Sequence, residues 1–250
     1  MPDATKVSFT LSVRGKAGDD PVMGFLRQNY GGVPLARIDS LFGFVERCTL
    51  YGGRPYYDRQ LSDEDVQELY RHSIGLRLPL TNMYVSEEEY QSYRWFLDKY
   101  HRPGNSVITT EDKLARWIRR DYPGFQIEAS VIKNIDTYEK IDAALDLYDT
   151  IILPMRLNPH FAFLDSIQRE KKQRITLFAN AGCAFNCPAR MCYEAISRMN
   201  KFQGAEFKCS KPTMPRPNLG MVFFDLQKLS SAGFRRFKLL QAIPWGTTSF

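Results

Sequence analysis

The chain has 250 residues, 44% hydrophobic and 25% charged, with a net charge of +6. That length suits one α/β barrel, the composition is ordinary for a globular core, and no apolar run reaches the ~18–20 residues of a membrane span. The opening residues, MPDATKVSF, hold neither the basic region nor the apolar stretch of a signal peptide, so the expected compartment is the cytoplasm, where thiols stay reduced. Basic residues are scattered over segments such as RWIRR and REKKQR, a pattern of solvated faces, which leaves RNA as a minor alternative partner.

Taken in chain order, short runs rich in Val, Ile, Leu and Phe alternate with helical patterns. Strands are predicted at KVSFTLSV, RIDSLFGFV, GLRLPLT, SVITT, QIEASVI, TIILPMR, QRITLFAN and RRFKLLQ. Their continuous apolar character is that of strands buried on both faces of a parallel sheet. Between them, SDEDVQELYRHS offers Ser62 as an N-cap with acidic residues in the first turn, where the helix dipole favours them. SEEEYQSYRWFLDKYH aligns Tyr90, Tyr93, Leu97 and Tyr100 on one stripe, and EDKLARWIRRDYPG does so with Leu114, Trp117 and Ile118. In DTYEKIDAALDLYD, Asp136 and Glu139 have capping-box spacing. The aromatic stripes are packing surfaces.

Eight strands alternating with eight helices predict an α/β fold, a single (β/α)8 TIM-type barrel forming one domain over residues 1–250. A doubly wound nucleotide fold is disfavoured because SVRGKAGDD is neither G-x-G-x-x-G nor a P-loop. The stretch KFQGAEFKCSKPTMPRPNLG carries three prolines and is too long for a simple connection, so residues 201–224 are expected to form a functional excursion.

Barrel active sites are built from loops at the C-terminal ends of the strands. That rule gathers Arg14, Arg47, Cys48 and Arg54, then Thr81, Asn82, Lys133 and Asn134, and then Arg156, Asn158, His160, Asn180, Cys183 and Cys187. The cysteines are the sharpest signal, since NAGCAFNCPARMC holds three of the five. Clustered reduced thiols point to metal or catalysis. Pro188 suits the first position of a helix, which would set Cys183 and Cys187 at a helix N-terminus, where thiolates are favoured. Cys192 would then lie ~140° round that helix and ~7.5 Å along it from Cys187, too far to share one ion, and reads as a small buried hydrophobe. Cys209, in the excursion, and Cys48, ending the second strand, can both reach the same mouth. C-x3-C permits half a zinc site, whereas the spacings of radical S-adenosylmethionine and thioredoxin-like enzymes are absent. Neither G-x-S-x-G nor H-E-x-x-H occurs, and of three histidines only His160 falls among the rim loops.

The segments running from WIRRDYPG to NPHFAFLDSI, then ITLFANAGCAFNCPARMC, then FKCSKP and FFDLQKLSSAGFRRFKL, resemble the collagenase-like peptidase family, peptidase family U32. YGGRP resembles that family's turn after the second strand. The most specific part is the Asn-x-x-Cys-x-x-x-Cys-Pro-x-Arg run, here Asn180, Cys183, Cys187, Pro188 and Arg190, followed by Cys209. The resemblance implies a barrel with a 4Fe-4S cluster on cysteines and an oxygen-independent hydroxylation of RNA bases or small molecules in place of ordinary proteolysis. Cys183, Cys187 and Cys209 are the expected ligands, with Cys48 preferred to Cys192 as the fourth. Arg54, Arg156 and Arg190 are expected to bind a small anionic substrate by bidentate pairing, Arg156 facing the cavity. Asn158, His160 and Asn180 are the candidate catalytic contacts. The alternatives are a hydrolase using a zinc-activated water and a non-catalytic metal protein, pairing with itself or with a second barrel.

Overall fold

All eight predicted strands are present and close on themselves. They are β1 (Ser8–Ser12), β2 (Ile38–Phe42), β3 (Gly75–Leu80), β4 (Ser106–Thr109), β5 (Gln126–Ala129), β6 (Thr150–Ile152), β7 (Ile175–Phe178) and, after the short β8 (Asn180–Ala181) and β9 (Val222–Phe223), β10 (Arg236–Leu239). The barrel order is β1-β10-β7-β6-β5-β4-β3-β2, parallel throughout, and β8 pairs antiparallel with β9. The structure, a computed structural model, describes residues 7–215, 217 and 219–241. Lys6 of the first predicted strand and Arg216 and Asn218 of the predicted excursion lie outside the described residues.

The helices are α1 (Val22–Tyr30), α2 (Asp63–Arg71), α3 (Glu87–Ser92), α4 (Arg94–Tyr100), α5 (Asp112–Asp121), α6 (Tyr138–Leu147), α7 (Phe161–Asp165), α8 (Arg169–Lys172), α9 (Cys192–Met199) and α10 (Leu226–Ser231). Ser62 caps α2 as predicted, accepting from the Asp65 amide, while the Asp65 carboxylate accepts from Ser62 in return. The Tyr90 stripe is split. Ser92 Oγ donates to the Glu89 carbonyl at 2.7 Å, and the chain breaks between α3 and α4 at Tyr93. The cap of α6 is Thr137, which accepts from the Lys140 amide. Asp136, expected there, is committed to Lys140 and Arg156 instead.

The inside of the barrel departs from the uniformly apolar expectation. Side chains alternate across a strand, so every second residue of a closed sheet faces the interior. Near the N-terminal end that layer is polar. Glu128 accepts from Arg77 Nη1, Thr150 and Thr176 at 2.8–3.0 Å, and Arg77 Nε donates to Ser106. Burial works to raise the Glu128 pKa, but Arg77, Lys238 and Arg236 together hold it below the ordinary carboxylate value. Toward the mouth the interior turns apolar, with Ile108, Ile152, Met155 and Phe178 packed together. The larger hydrophobic core fills the shell between strands and helices, from Leu11 and Leu41 through Leu114 and Ile118 to Phe237.

Candidate functional site

The C-terminal mouth holds two neighbouring features, a cavity and a corner of cysteines. The cavity measures about 120 Å³ and is walled by Phe42, Ile108, Met155 and Phe178. The YGGRP turn crosses it. A Cβ on Gly52 would meet the Thr81 carbonyl oxygen at 2.3 Å, and Gly53 has φ of 74°, so both glycines are needed for this loop to lie so close to the strand-three rim. The turn delivers Arg54. Its Nη1 and Nη2 are buried without a hydrogen-bond partner, and its guanidinium lies 5.4 and 5.3 Å from the ring centroids of Phe42 and Phe44. Burial and the nearby Arg14 pull its pKa down to about 10, which leaves it charged at neutral pH.

Lys238 reaches the same cavity from β10, its ammonium 3.9 Å from the centroid of Phe42 and 6.0 Å from that of Phe178. Among the described residues it makes no hydrogen bond or ion pair through Nζ. Burial, with Arg77 and Arg54 against the attraction of Glu128, pulls it down to about 7. Sequence reading missed Lys238. The available signal was the alternation in RRFKLLQ, because a charge at every second position of a barrel strand has to point inward.

Cys183 and the loop behind it form the second feature. The helix expected from Pro188 begins later, at Cys192, and residues 188–191 form an irregular turn with Arg190 at φ of 49°. The turn brings the Arg190 amide to Cys187 Sγ at 3.3 Å, and the excursion folds back so that Ser210 Oγ lies 3.5 Å from the same sulfur. The Lys211 amide donates to Cys209 Sγ at 3.4 Å. Cys192 is pushed up to about 12, first by burial and then by Cys187, Cys183 and Cys209, which therefore lie within electrostatic range of it. The helical geometry that separated Cys192 from Cys187 does not exist. Cys48 is elsewhere: it is 2% exposed, with burial and Glu89 raising its pKa, and none of the other cysteines acts on it. This placement sets Cys192, and not Cys48, beside the other thiols. Among the described residues no three His, Cys, Asp or Glu side chains stand close enough to hold one metal ion.

Tyr193 joins the two features. It lines the cavity, and its buried hydroxyl has its pKa raised by desolvation and by Cys192, Cys183 and Cys187. Sequence reading missed it, since nothing in the spacing of MCYEA marks the tyrosine as turned toward the mouth. Arg14 acts electrostatically on both Arg54 and Cys183.

The remaining expected site residues divide differently. Arg156 donates to Asn134 Oδ1 at 2.8 Å and pairs with Asp136, so it is tied into the rim and the expectation that it faces the cavity fails. The physical reason is local: the backbone at Asn134 turns left-handed, at φ of 53°, and brings both acceptors to the end of β6. Asn180 is buried and clamps the backbone of Leu240, donating to its carbonyl and accepting from its amide at 2.8 Å each. Its side chain is thereby committed to structure. Asn158 donates to the Phe178 carbonyl at 2.6 Å, while its Oδ1 is buried without a partner. His160 is exposed at the start of α7, outside the cavity wall. Arg190 acts on Tyr193 but does not line the cavity.

No family model matches the chain, and no curated protein matches it in sequence. A solved structure described as that of the U32 peptidase Mk0906 matches it with a TM-score of 0.63, over 97% of this chain and 96% of that one, at 14% identity. The chain has the fold of a U32 peptidase. At that identity the likeness bears on the fold alone, and the site must be argued from its own residues. No helix among the described residues is long and apolar enough to cross a membrane.

Proposed function

We propose that this barrel is an enzyme that binds a small anionic substrate in its mouth cavity, beside an iron–sulfur cluster on Cys183, Cys187, Cys192 and Cys209, and modifies it in an oxygen-independent, hydroxylase-like reaction. One observation carries the reading: Tyr193 belongs to both features, so a ligand in the cavity lies one side chain away from the cysteine corner. The support for an all-thiol site is that Cys187, Cys183 and Cys209 all act electrostatically on Cys192, with no histidine among the described residues beside them. Amide N–H groups already aimed at Cys187 and Cys209 sulfurs suit thiolates carrying a cluster. When bound, such a cluster supplies electron transfer.

The chain's own residues supply the rest. Arg54 offers two unpaired N–H edges to a carboxylate or phosphate oxygen, a charge-assisted anchor for an anion. Tyr193, its pKa raised, stays protonated and can donate to a substrate oxygen in the cavity. Phe42, Ile108, Met155 and Phe178 supply the apolar wall around that contact. Hydrolysis is the second reading, since the structural neighbour's description names a peptidase.

Anaerobic purification, followed by an absorption spectrum and iron and sulfide analysis, tests the proposal. Matching iron and sulfide with broad visible absorption is the expected result. A colourless protein holding one zinc per chain, equally active in air, would establish the hydrolase reading in its place.

A further inference from the structure

We infer that Lys238 is a nucleophilic amine that forms an imine with a short oxo-carboxylate, of the size of glyoxylate or pyruvate, whose carboxylate is held by Arg54. The inference rests on the reading of the mouth cavity as an anion site and names the substrate class that site takes; it is independent of the cluster.

Three observations converge on it. First, Arg54 and Lys238 line the same mouth cavity, where the arginine acts electrostatically on the amine, and Cζ and Nζ lie 5.4 and 3.9 Å from the centroid of Phe42. A short anion bonded to Arg54 thus shares the cavity with the amine. Second, both groups lack partners in a way that a ligand of this kind repairs. Arg54 has two buried, unpaired nitrogens, and Lys238 Nζ has no acceptor among the described residues. A buried cation without an anion is costly, so a carboxylate is favoured at Arg54, whereas the amine can shed its own charge. Third, the cavity, of about 120 Å³, is small and walled mainly by apolar groups, which suits a ligand of a few non-hydrogen atoms.

The amine's electrostatic surroundings agree. Facing Lys238 are Glu128 from β5, already satisfied by Arg77, Thr150 and Thr176, Arg77 itself from β3, and Arg54 from the loop after β2. The two arginines and burial outweigh the carboxylate, so a substantial fraction of Lys238 is neutral at physiological pH and carries a lone pair. Attack of Nζ on the carbonyl carbon forms a C–N bond as the carbonyl π pair moves to oxygen. Two proton transfers then release that oxygen as water and leave a C=N bond to Nζ. No oxidant or reductant is consumed.

The test incubates the full chain with glyoxylate and cyanoborohydride, which reduces an imine to a stable secondary amine, and reads the adduct by intact mass and peptide mapping. Expected is one saturable adduct, on Lys238, absent from both Lys238→Arg and Lys238→Met. Arg54→Met should raise the half-saturating glyoxylate concentration at least tenfold. Glycolate, with the carboxylate but no carbonyl, should compete with labelling and raise the wild-type melting temperature. Labelling spread over several lysines without saturation overturns the inference, as does a Lys238 adduct indifferent to Arg54→Met. If glycolate stabilises the protein through Arg54 and no adduct forms, the imine falls while the anion site stands. If neither compound has an effect, both fall.

Discussion

Arg77 and Glu128 meet inside the barrel, Nη1 of the arginine lying 2.9 Å from each carboxylate oxygen. Both residues are almost fully buried, at 2% and 1% exposure. A pair like this contributes little against an apolar replacement of equal shape, but losing one partner leaves the other charge stranded. Glu128→Gln should therefore destabilise the chain by about 3–5 kcal/mol, read as a lower urea midpoint at unchanged slope. Parity with wild type would mean that water reaches Arg77.

Lys238 gives a stability effect of opposite sign. Its folded value of about 7 lies below the ~10.4 of an ordinary lysine. Between those values the unfolded chain holds a proton that the folded chain lacks, so stability rises with pH across that window. The burial penalty is complete below the folded value and vanishes above the unfolded one. Lys238→Met should accordingly be more stable than wild type at about pH 6 by a few kcal/mol, and the gain should fade by about pH 10. Urea titrations at several pH values measure it. A constant difference at every pH would mean that the amine is solvated.

The cysteines separate cleanly by placement. Cys192→Ala should lower iron and sulfide content as severely as Cys183→Ala, because each removes a thiol from the same corner. Cys48→Ala should keep the iron and cost only the small cavity left by a buried sulfur, about 1 kcal/mol. Iron analysis of the three anaerobically prepared variants decides the point: loss of iron in the Cys48 and Cys183 variants with iron kept in the Cys192 variant would make Cys48 the fourth ligand.

Arg156 is the control for the anion site. Its pairing with Asp136 is a partly exposed rim contact, with the arginine side chain 40% exposed, and such pairs contribute ~0–1 kcal/mol. Arg156→Leu should leave glycolate binding unchanged and shift the melting temperature by a few degrees at most. A variant that folds yet no longer binds would return Arg156 to the cavity.

The strands were legible because burial on both faces leaves short runs rich in Val, Ile, Leu and Phe between helical patterns. The polar layer inside the barrel was less so. Lys238, Arg236, Glu128 and Arg77 sit within runs that otherwise read as apolar, and only the closure of the sheet turns their alternating positions into an interior layer. Arg54 was gathered with the rim residues because it follows the second strand, where barrel loops meet at the mouth. The nearness of Cys192 to the other thiols was hidden because Pro188 resembles a helix start, and no local rule reveals that Arg190 takes a left-handed turn first. Arg156 was assigned to the cavity from its place at a strand end, although its acceptors, Asn134 and Asp136, lie 22 and 20 residues earlier and meet it only in the fold.

Ala181 and Val222 are cross-strand partners in the small antiparallel sheet. The chain thus departs from the barrel and returns to it at one point, and Cys183, Cys187, Cys192 and Cys209 all fall between departure and return. In polymer terms the segment is a ring tied at its neck. Lengthening such a ring changes the closure entropy only logarithmically and passes no register shift to β7 or β10. The ring is pinned a second time at α9, where Asn200 Nδ2 donates to the carbonyls of Tyr51 and Arg54 and the Ser197 carbonyl accepts from Asn82. The part of the ring past Lys201 can therefore change length without disturbing the barrel, whereas α9 cannot move without taking with it the turn that delivers Arg54.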